Sequence, residues 1–418
     1  MKILFAPIGD PTGYDDVTYS VKGKEYNTNA SFLAISQALN IDKVVVYAGL
    51  SLCDTNCNDY NCCRNSVTQK VTQKLGNKFD LLIAPNVFST RFIQKDRKNT
   101  LYFNFIYFNS LKILEENKPD EIYIDITHGI NYMPLLATDA IRLAVYTYIV
   151  ENKKNGVNLT IYDSEPVIKP NKGPYTIDNI YSEKITVRQA LLSILSPFLS
   201  SESKNVIKNK VFKVIYNSLK ANSEDVNTSS CNADFIYYIV NALSAGIFLY
   251  LILKKSDINN CLNIIDNILR KLSFNNFAVQ LKFEDGKVIY DENIPIEISY
   301  LHSLLRIASH IAQGNNKISE IHEMAENYST SDSVKYVILN EIDKIKKEKD
   351  KIPNSPTLYA KILGIDSPSV CSADKRNLIA HGGFEQNVTF LWKCGEDICV
   401  SYTDGNCNCI GNVEEHLG

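Results

Sequence analysis

The sequence carries no strong charge of either sign. Its 44 Lys and Arg against 47 Asp and Glu leave a formal net charge of −3. No global field therefore draws in nucleic acid, and any RNA contact must come from a local patch. No run of 18 consecutive apolar residues occurs, so no membrane-spanning helix is expected. The chain opens directly into Ile3-Leu4-Phe5-Ala6 rather than into a secretory signal, which predicts a cytoplasmic protein. A GxGxxG fingerprint is absent, which disfavours a nicotinamide or flavin cofactor; none is expected. The eleven cysteines never stand two residues apart in the C-x-x-C manner of a zinc site. Cys53, Cys57, Cys62 and Cys63 cluster in what reads as one loop, and Cys394, Cys399, Cys407 and Cys409 cluster later. Structural disulfides, which occur inside cells of hyperthermophiles, are favoured over zinc, and no metal is expected.

What is present is a pair of side chains suited to cutting RNA without a metal. Arg376-Asn377-Leu378-Ile379-Ala380-His381 precedes Gly382-Gly383. An imidazole titrates near neutrality and moves a proton to or from a ribose or leaving oxygen. A guanidinium stays charged and grips a phosphate through a planar fork of donors. With eight arginines and six histidines in 418 residues, an Arg five positions before a His arises by chance in about one such sequence in ten. The bland reading is a surface Arg and a histidine resting on a helix C-terminus. On an ideal helix, five residues turn through about 500°, so the two side chains point roughly 140° apart. One helix cannot easily aim both at one phosphate. Two copies about a two-fold axis can, each giving an Arg and a His to a shared cleft. Catalysis by this pair therefore predicts a homodimer.

The first half alternates strand and helix signals. Apolar runs at Lys2–Ile8, Lys43–Ala48, Asp80–Ala84, Glu121–Ile126 and Asn158–Tyr162 read as buried strands. Helical patterns fall at Ala30–Leu39, Val67–Leu75, Thr100–Glu116 and Tyr132–Val150. Five strands and four helices predict a doubly wound α/β sheet. Ligands in such sheets lie beyond the carboxyl ends of the strands, at the switch point. Candidate ligand-binding residues are therefore Ile8, Gly9 and Asp10 after the first strand, Asn86 and Phe88 after the third, and Thr127, His128, Gly129, Asn131 and Met133 after the fourth. Gly129 is expected to let backbone approach a ligand, and the helix start that follows favours phosphate.

Lys169–Pro174 reads as a linker. Helices at Val187–Leu199 and Lys204–Lys220 are a connecting arm or, with few basic residues to support it, a helix-turn-helix. Ser223–Ser230 is a polar loop. The rest is mainly helical, at Asp234–Leu253, Asp257–Leu272, Ile298–Ala312, Ser333–Lys347 and Ser372–Ala380. Val279–Tyr290 reads as a hairpin insertion and Asn387–Tyr402 alternates like strands. The boundaries predicted are 1–172, 173–229 and 230–418. His302, Arg306 and His310 share one helix face, either as a phosphate-gripping surface or as the polar flank of a bundle helix. The mixed-sign run Asp343–Lys351 reads as a solvated face.

With both halves laid out, the chain resembles the CARF–HEPN accessory ribonucleases of type III CRISPR systems. The Gly9-Asp10 loop and Asp125–Pro134 stretch resemble the CRISPR-associated Rossmann fold (CARF), and Arg376-Asn377 with His381 resembles the HEPN ribonuclease motif. The resemblance implies single-stranded RNA as substrate, cleaved without a metal to 2′,3′-cyclic phosphate and 5′-OH ends. It implies His381 as general acid/base, Arg376 as phosphoryl stabiliser and Asn377 as an orienting residue. It also implies activation by cyclic oligoadenylate, foremost cyclic tetra-adenylate, bound across a CARF dimer. A CARF-type DNA-binding regulator and a nuclease that degrades the ring are the alternatives.

Overall fold

The computed structural model describes every residue except 89–90, 95–98, 130–131, 169, 201–204 and 222–230. Two compact units divide the chain. The first comprises Met1–Ile149, Lys154–Thr186 and Asn267–Ser299; the second comprises Val150–Lys153, Val187–Asp266 and Tyr300–Gly418.

The first unit is built on β1 (Lys2–Ile8). Ile3, Leu4, Phe5 and Ile8 are fully buried, as a strand covered on both faces requires. It pairs in parallel with β4 (Lys43–Gly49) on one side and β7 (Glu121–Asp125) on the other. Outside these lie β5 (Asp80–Ala84) and β8 (Val157–Ser164). The chain thus winds outward through β4 and β5, then returns across β1 to β7 and β8. The switch point lies between β1 and β7, and these are the five strands that the apolar runs predict.

Three strands on the β8 side are additional. β9 (Tyr175–Ile185) runs antiparallel to β8, and the hairpin β2 (Val17–Val21) and β3 (Lys24–Thr28) pairs onto β9. The predicted boundary at residue 172 therefore falls short of a strand that belongs to this sheet. Four helices complete the pattern: α1 (Ser31–Leu39), α2 (Tyr60–Leu75), α3 (Thr100–Asn117) and α4 (Tyr132–Glu151). Helix α2 begins seven residues before its apolar pattern because the Asp59 side chain accepts the Cys62 N–H and caps it. Helix α4 is long and apolar enough to cross a bilayer by length and composition, but 61% of that span is buried inside the fold.

A further sheet joins distant sequence. β6 (Phe92–Gln94) pairs in parallel with β11 (Lys287–Tyr290), itself antiparallel to β10 (Leu281–Glu284). The hairpin expected as a decoration of the C-terminal half is thus part of the first unit. Tyr290 secures it by donating its hydroxyl to the Asn86 carbonyl at 3.0 Å and accepting the Asn86 N–H at 3.1 Å.

The second unit is helical. Its helices, of which α9 ends and α10 begins with residues of the first unit, are α5 (Val187–Leu195), α6 (Phe212–Ala221), α7 (Ala233–Ala245), α8 (Phe248–Leu253), α9 (Lys255–Arg270), α10 (Glu297–Ile311), α11 (Ile318–Tyr328), α12 (Asp332–Lys347), α13 (Tyr359–Ile362), α14 (Lys375–Ala380) and α15 (Ile410–Leu417). The single helix expected at Asp234–Leu253 is two, broken at Gly246. Strands β12 (Thr357–Leu358), β13 (Phe390–Cys394) and β14 (Asp397–Ser401) form a small antiparallel sheet. The predicted polar loop Ser223–Ser230 lies outside the described residues.

Four disulfides join Cys57–Cys62, Cys231–Cys261, Cys371–Cys409 and Cys394–Cys399. The first cysteine group is not confined to a loop, since Cys62 and Cys63 stand on α2. Among the described residues no group of His, Cys, Asp or Glu is arranged to hold a metal.

Candidate functional site

The Arg/His segment folds as α14, a helix of six residues. Asp374 caps it by accepting the N–H groups of Arg376 and Asn377. His381 is its C-cap, and Gly382 and Gly383 follow at φ +55° and +87°. Both conformations favour glycine. A Cβ on Gly382 would also stand 2.9 Å from the Ile338 side chain, and one on Gly383 2.7 Å from Ile247. The glycine pair thus turns the chain sharply and lets it lie against α12 at the point where His381 emerges.

His381 lines a cleft of about 400 Å³ with Glu341, Lys344 and Lys347 of α12, Tyr359, Asn377, Phe384, Glu385 and Gln386. Its Nδ1 lies 3.2 Å from Oε1 of Glu341, and its side chain is 41% exposed. Glu341 is buried at 5% exposure, and Lys344 Nζ reaches the same oxygen at 2.6 Å. Burial raises the pKa of the Glu385 carboxyl, which also lines the cleft, while His381 and the Asn387 N–H act the other way. Asn377 shares the cleft with His381, but Arg376 does not line it. The Arg376 side chain is exposed and makes no hydrogen bond or ion pair among the described residues. Within one chain, Arg376 is thus not among the residues that line the cleft of His381. Glu341 and Lys344 escape the sequence reading because they stand some forty residues upstream. The only signal for them is their three-residue spacing on the helix expected at Ser333–Lys347, whose end enters the charged run Asp343–Lys351 that reads as solvated.

The switch point holds a second cleft, of about 440 Å³, lined by Tyr14, Tyr19, Thr127, His128 and the carboxylates Asp15, Asp163 and Glu165. Its floor is a tight network. Buried Asp125 accepts the Ser31 hydroxyl together with the N–H and hydroxyl of Thr127. His128 Nε2 accepts the Ser31 N–H at 3.0 Å, so the neutral ring carries its proton on Nδ1. Tyr14 stacks on that ring at 4.3 Å and donates its hydroxyl to the His128 carbonyl. Burial lowers the His128 pKa, against the opposing pull of Asp125 and Asp163. Burial also pushes the Tyr19 phenol up to about 12.

Of the predicted ligand residues, Thr127 and His128 line this cleft. Gly9 donates its N–H to the His128 carbonyl and the Tyr14 hydroxyl, joining the two loops. Asp10 is exposed and caps its own turn by accepting from Thr12. Ile8 and Met133 are fully buried. Asn86 is also buried, with its amide bonded to the Ser51 N–H and hydroxyl. Phe88 is 46% exposed. These four face core or open surface, not the cleft. Gly129 yields to the chain itself, because a Cβ there would meet the Pro134 ring at 2.1 Å. Asn131 lies outside the described residues.

The His302, Arg306 and His310 face has protein partners throughout. Arg306 forms a two-pronged ion pair with Glu151 at 2.7 and 3.1 Å, His302 is buried 3.5 Å from Asp266, and His310 meets the Tyr328 hydroxyl at 3.0 Å. It is a structural flank.

A doubly wound α/β unit with a cleft at its switch point, joined in one chain to a helical unit with a histidine-bearing cleft, defines a two-part class of protein. Comparison with known proteins narrows it. The family model for the CARF domain of CRISPR system endoribonuclease Csx1 matches residues 3–166, and that for the HEPN domain matches residues 331–404. The chain is 24% identical over 416 residues to CRISPR system endoribonuclease Csx1 of Methanocaldococcus jannaschii, covering 94% of this chain and 86% of that protein. A solved structure, Enterococcus italicus Csm6 bound to cyclic hexa-2′-fluoro-hexa-dAMP, aligns over 100% of this chain and 93% of its own at 14% identity and a TM-score of 0.26. The two domain matches together span more than half of the chain. The chain belongs to the CARF–HEPN family of CRISPR ribonucleases.

Proposed function

We propose that the protein is a metal-independent endonuclease of single-stranded RNA, switched on by cyclic oligoadenylate at the first unit. The observation that carries this reading is the arrangement at His381. Nδ1 of His381 lies against a carboxylate, its ring lines a cleft, and the Arg376 guanidinium, unpaired among the described residues, stands on the short helix that His381 caps.

In this reading the substrate's own 2′-OH attacks the adjacent phosphorus. A bond forms between O2′ and phosphorus, the bond to O5′ breaks, and the proton lost by the 2′-OH is balanced by one delivered to the leaving 5′ oxygen. His381 serves this proton transfer through Nε2. Arg376 of a second subunit stabilises charge on the phosphoryl oxygens, and Asn377 orients the scissile link. The products are a 2′,3′-cyclic phosphate and a 5′-OH. Single strands suit the cleft because the link needs freedom to come in line and the bases are splayed.

The activator is a ring whose two-fold symmetry matches that of a dimer, cyclic tetra-adenylate first among them. The switch-point cleft is acidic, so it suits an adenine, whose exocyclic amine is a donor that carboxylates accept, better than a phosphate. Stacking on Tyr14 and His128 agrees with a base.

The test is cleavage of a labelled single-stranded RNA in EDTA, with and without each cyclic oligoadenylate, followed by analysis of the ends. Cleavage only with the ring, insensitive to EDTA and leaving 5′-OH termini, is expected. Loss of activity in EDTA would overturn the metal-free mechanism, and equal activity without any ring would overturn the gating.

A further inference from the structure

Buried carboxylates are few among the described residues of this protein: Asp125, Glu341 and Glu385. Burying a carboxylate is costly unless it is paired. Asp125 is accounted for by the hydroxyls and N–H groups around it, and Glu385 accepts the N–H and amide of Asn387. Glu341 differs. Its Oε1 receives Lys344, three residues along the same helix, and it also receives an imidazole carried by another element. Lys344 alone suffices to neutralise the charge. The contact with His381 is therefore an additional use of the carboxylate, made where α14 ends on α12.

We propose that Glu341 is the positioning residue of the catalytic histidine. It accepts the Nδ1–H of His381, fixes that tautomer and the ring plane, and leaves the Nε2 lone pair as the atom presented to RNA. The proposal rests on the reading of His381 as the proton-transfer group and adds the residue that orients it. An unanchored imidazole populates both tautomers and turns about χ2, so only part of the population offers the right nitrogen in the right direction. Lys344 has a secondary part, holding the carboxylate on the α12 side of the cleft. A merely structural ion pair predicts otherwise: loss of Glu341 would loosen the α12–α14 contact and lower thermal stability without selecting one ring nitrogen.

The full-length protein with ring-¹⁵N histidine is measured at about pH 8, where an ordinary imidazole is neutral. The His381 signal is identified as the one missing from H381A among six histidines. Pyrrole-type Nδ1 and pyridine-type Nε2 are expected, with the two averaged in E341A. RNA turnover is then followed at saturating ring. E341A should lose roughly 100-fold in kcat, the lower range for a misplaced general acid–base, with KM changed by no more than about two-fold. E341Q keeps an acceptor oxygen in the same place, so it should hold the Nδ1–H tautomer and lie between E341A and wild type. It also keeps the test alive if E341A folds poorly. A pyridine-type Nδ1 in the wild type, or wild-type turnover in both variants while H381A is dead, overturns this proposal alone. RNA cleavage by H381A at the wild-type rate overturns the assignment of His381 and this proposal with it.

Discussion

His381 and His128 are each bound through one ring nitrogen, and the choice of nitrogen separates their roles. His381 gives Nδ1 to a carboxylate, which in the proposed reading leaves Nε2 for RNA. His128 spends Nε2 on a backbone N–H, so its contribution at the switch point is shape, stacking and the Nδ1 hydrogen. Burial lowers its pKa, so the unfolded chain binds the proton at a higher pH than the fold does. The stabilisation is complete above the ordinary value of about 6.5 and is lost as pH falls toward the depressed folded value. Buried His302 and half-buried His310 act in the same direction. Denaturant midpoints measured from pH 7.5 down to pH 5 should therefore fall, and H128F should flatten that fall. An unchanged slope in the variant would show that His128 is not held neutral. Both histidines were legible in the sequence, one from its spacing to Arg376 and one from its place at a strand end. Glu341 was not, because a carboxylate on a charged helix looks solvated until the fold shows it at 5% exposure.

The five parallel strands were readable as elements because burial on both faces writes a continuous apolar run. β9 was not, since most of its residues are exposed and polar. The hairpin Leu281–Tyr290 was visible, but its partner Phe92–Gln94 is nearly two hundred residues away and only three residues long. Beyond β14 the sequence offered only cysteines expected in disulfides, and the fold adds a helix. Helix α15 holds the chain just before α14: Cys371 is bonded to Cys409, Asn412 Oδ1 accepts the Ala373 N–H at 2.9 Å, and His416 Nε2 meets the Ala373 carbonyl at 2.6 Å. Cys371 has φ +55°, a left-handed conformation that non-glycine residues rarely adopt. The disulfide spans 38 residues, for which chain entropy alone gives up to about 4 kcal/mol. C371A should lower the melting temperature and reduce RNA turnover, whereas breaking the five-residue Cys394–Cys399 loop should do much less. Equal melting temperatures for C371A and wild type would remove the clamp.

At the scale of the whole molecule, the proposed chemistry calls for two chains. Arg376 stands on a six-residue helix and His381 is its C-cap, yet only His381 lines the cleft. R376A and H381A should each be inactive alone. When the two are mixed under conditions that let subunits exchange, activity should return, because a mixed dimer keeps one arginine and one histidine around the shared cleft. No recovery, with exchange verified by native mass spectrometry, would place the whole reaction within a single subunit. Domain order and family were legible because each half carries its own local signature. On the cleft the sequence offered only an angle, about 140° between two side chains, from which sharing between subunits is an expectation.

The Ala373 clamp also bears on the order in which this part of the chain becomes fixed. Translation delivers α14 first and its brace, Cys409 to His416, some thirty residues afterwards. A nascent chain that has just exposed His381 lacks the bond and the two hydrogen bonds that hold the preceding loop. The segment that leads into α14 is therefore fixed only after nearly all of the chain has been made.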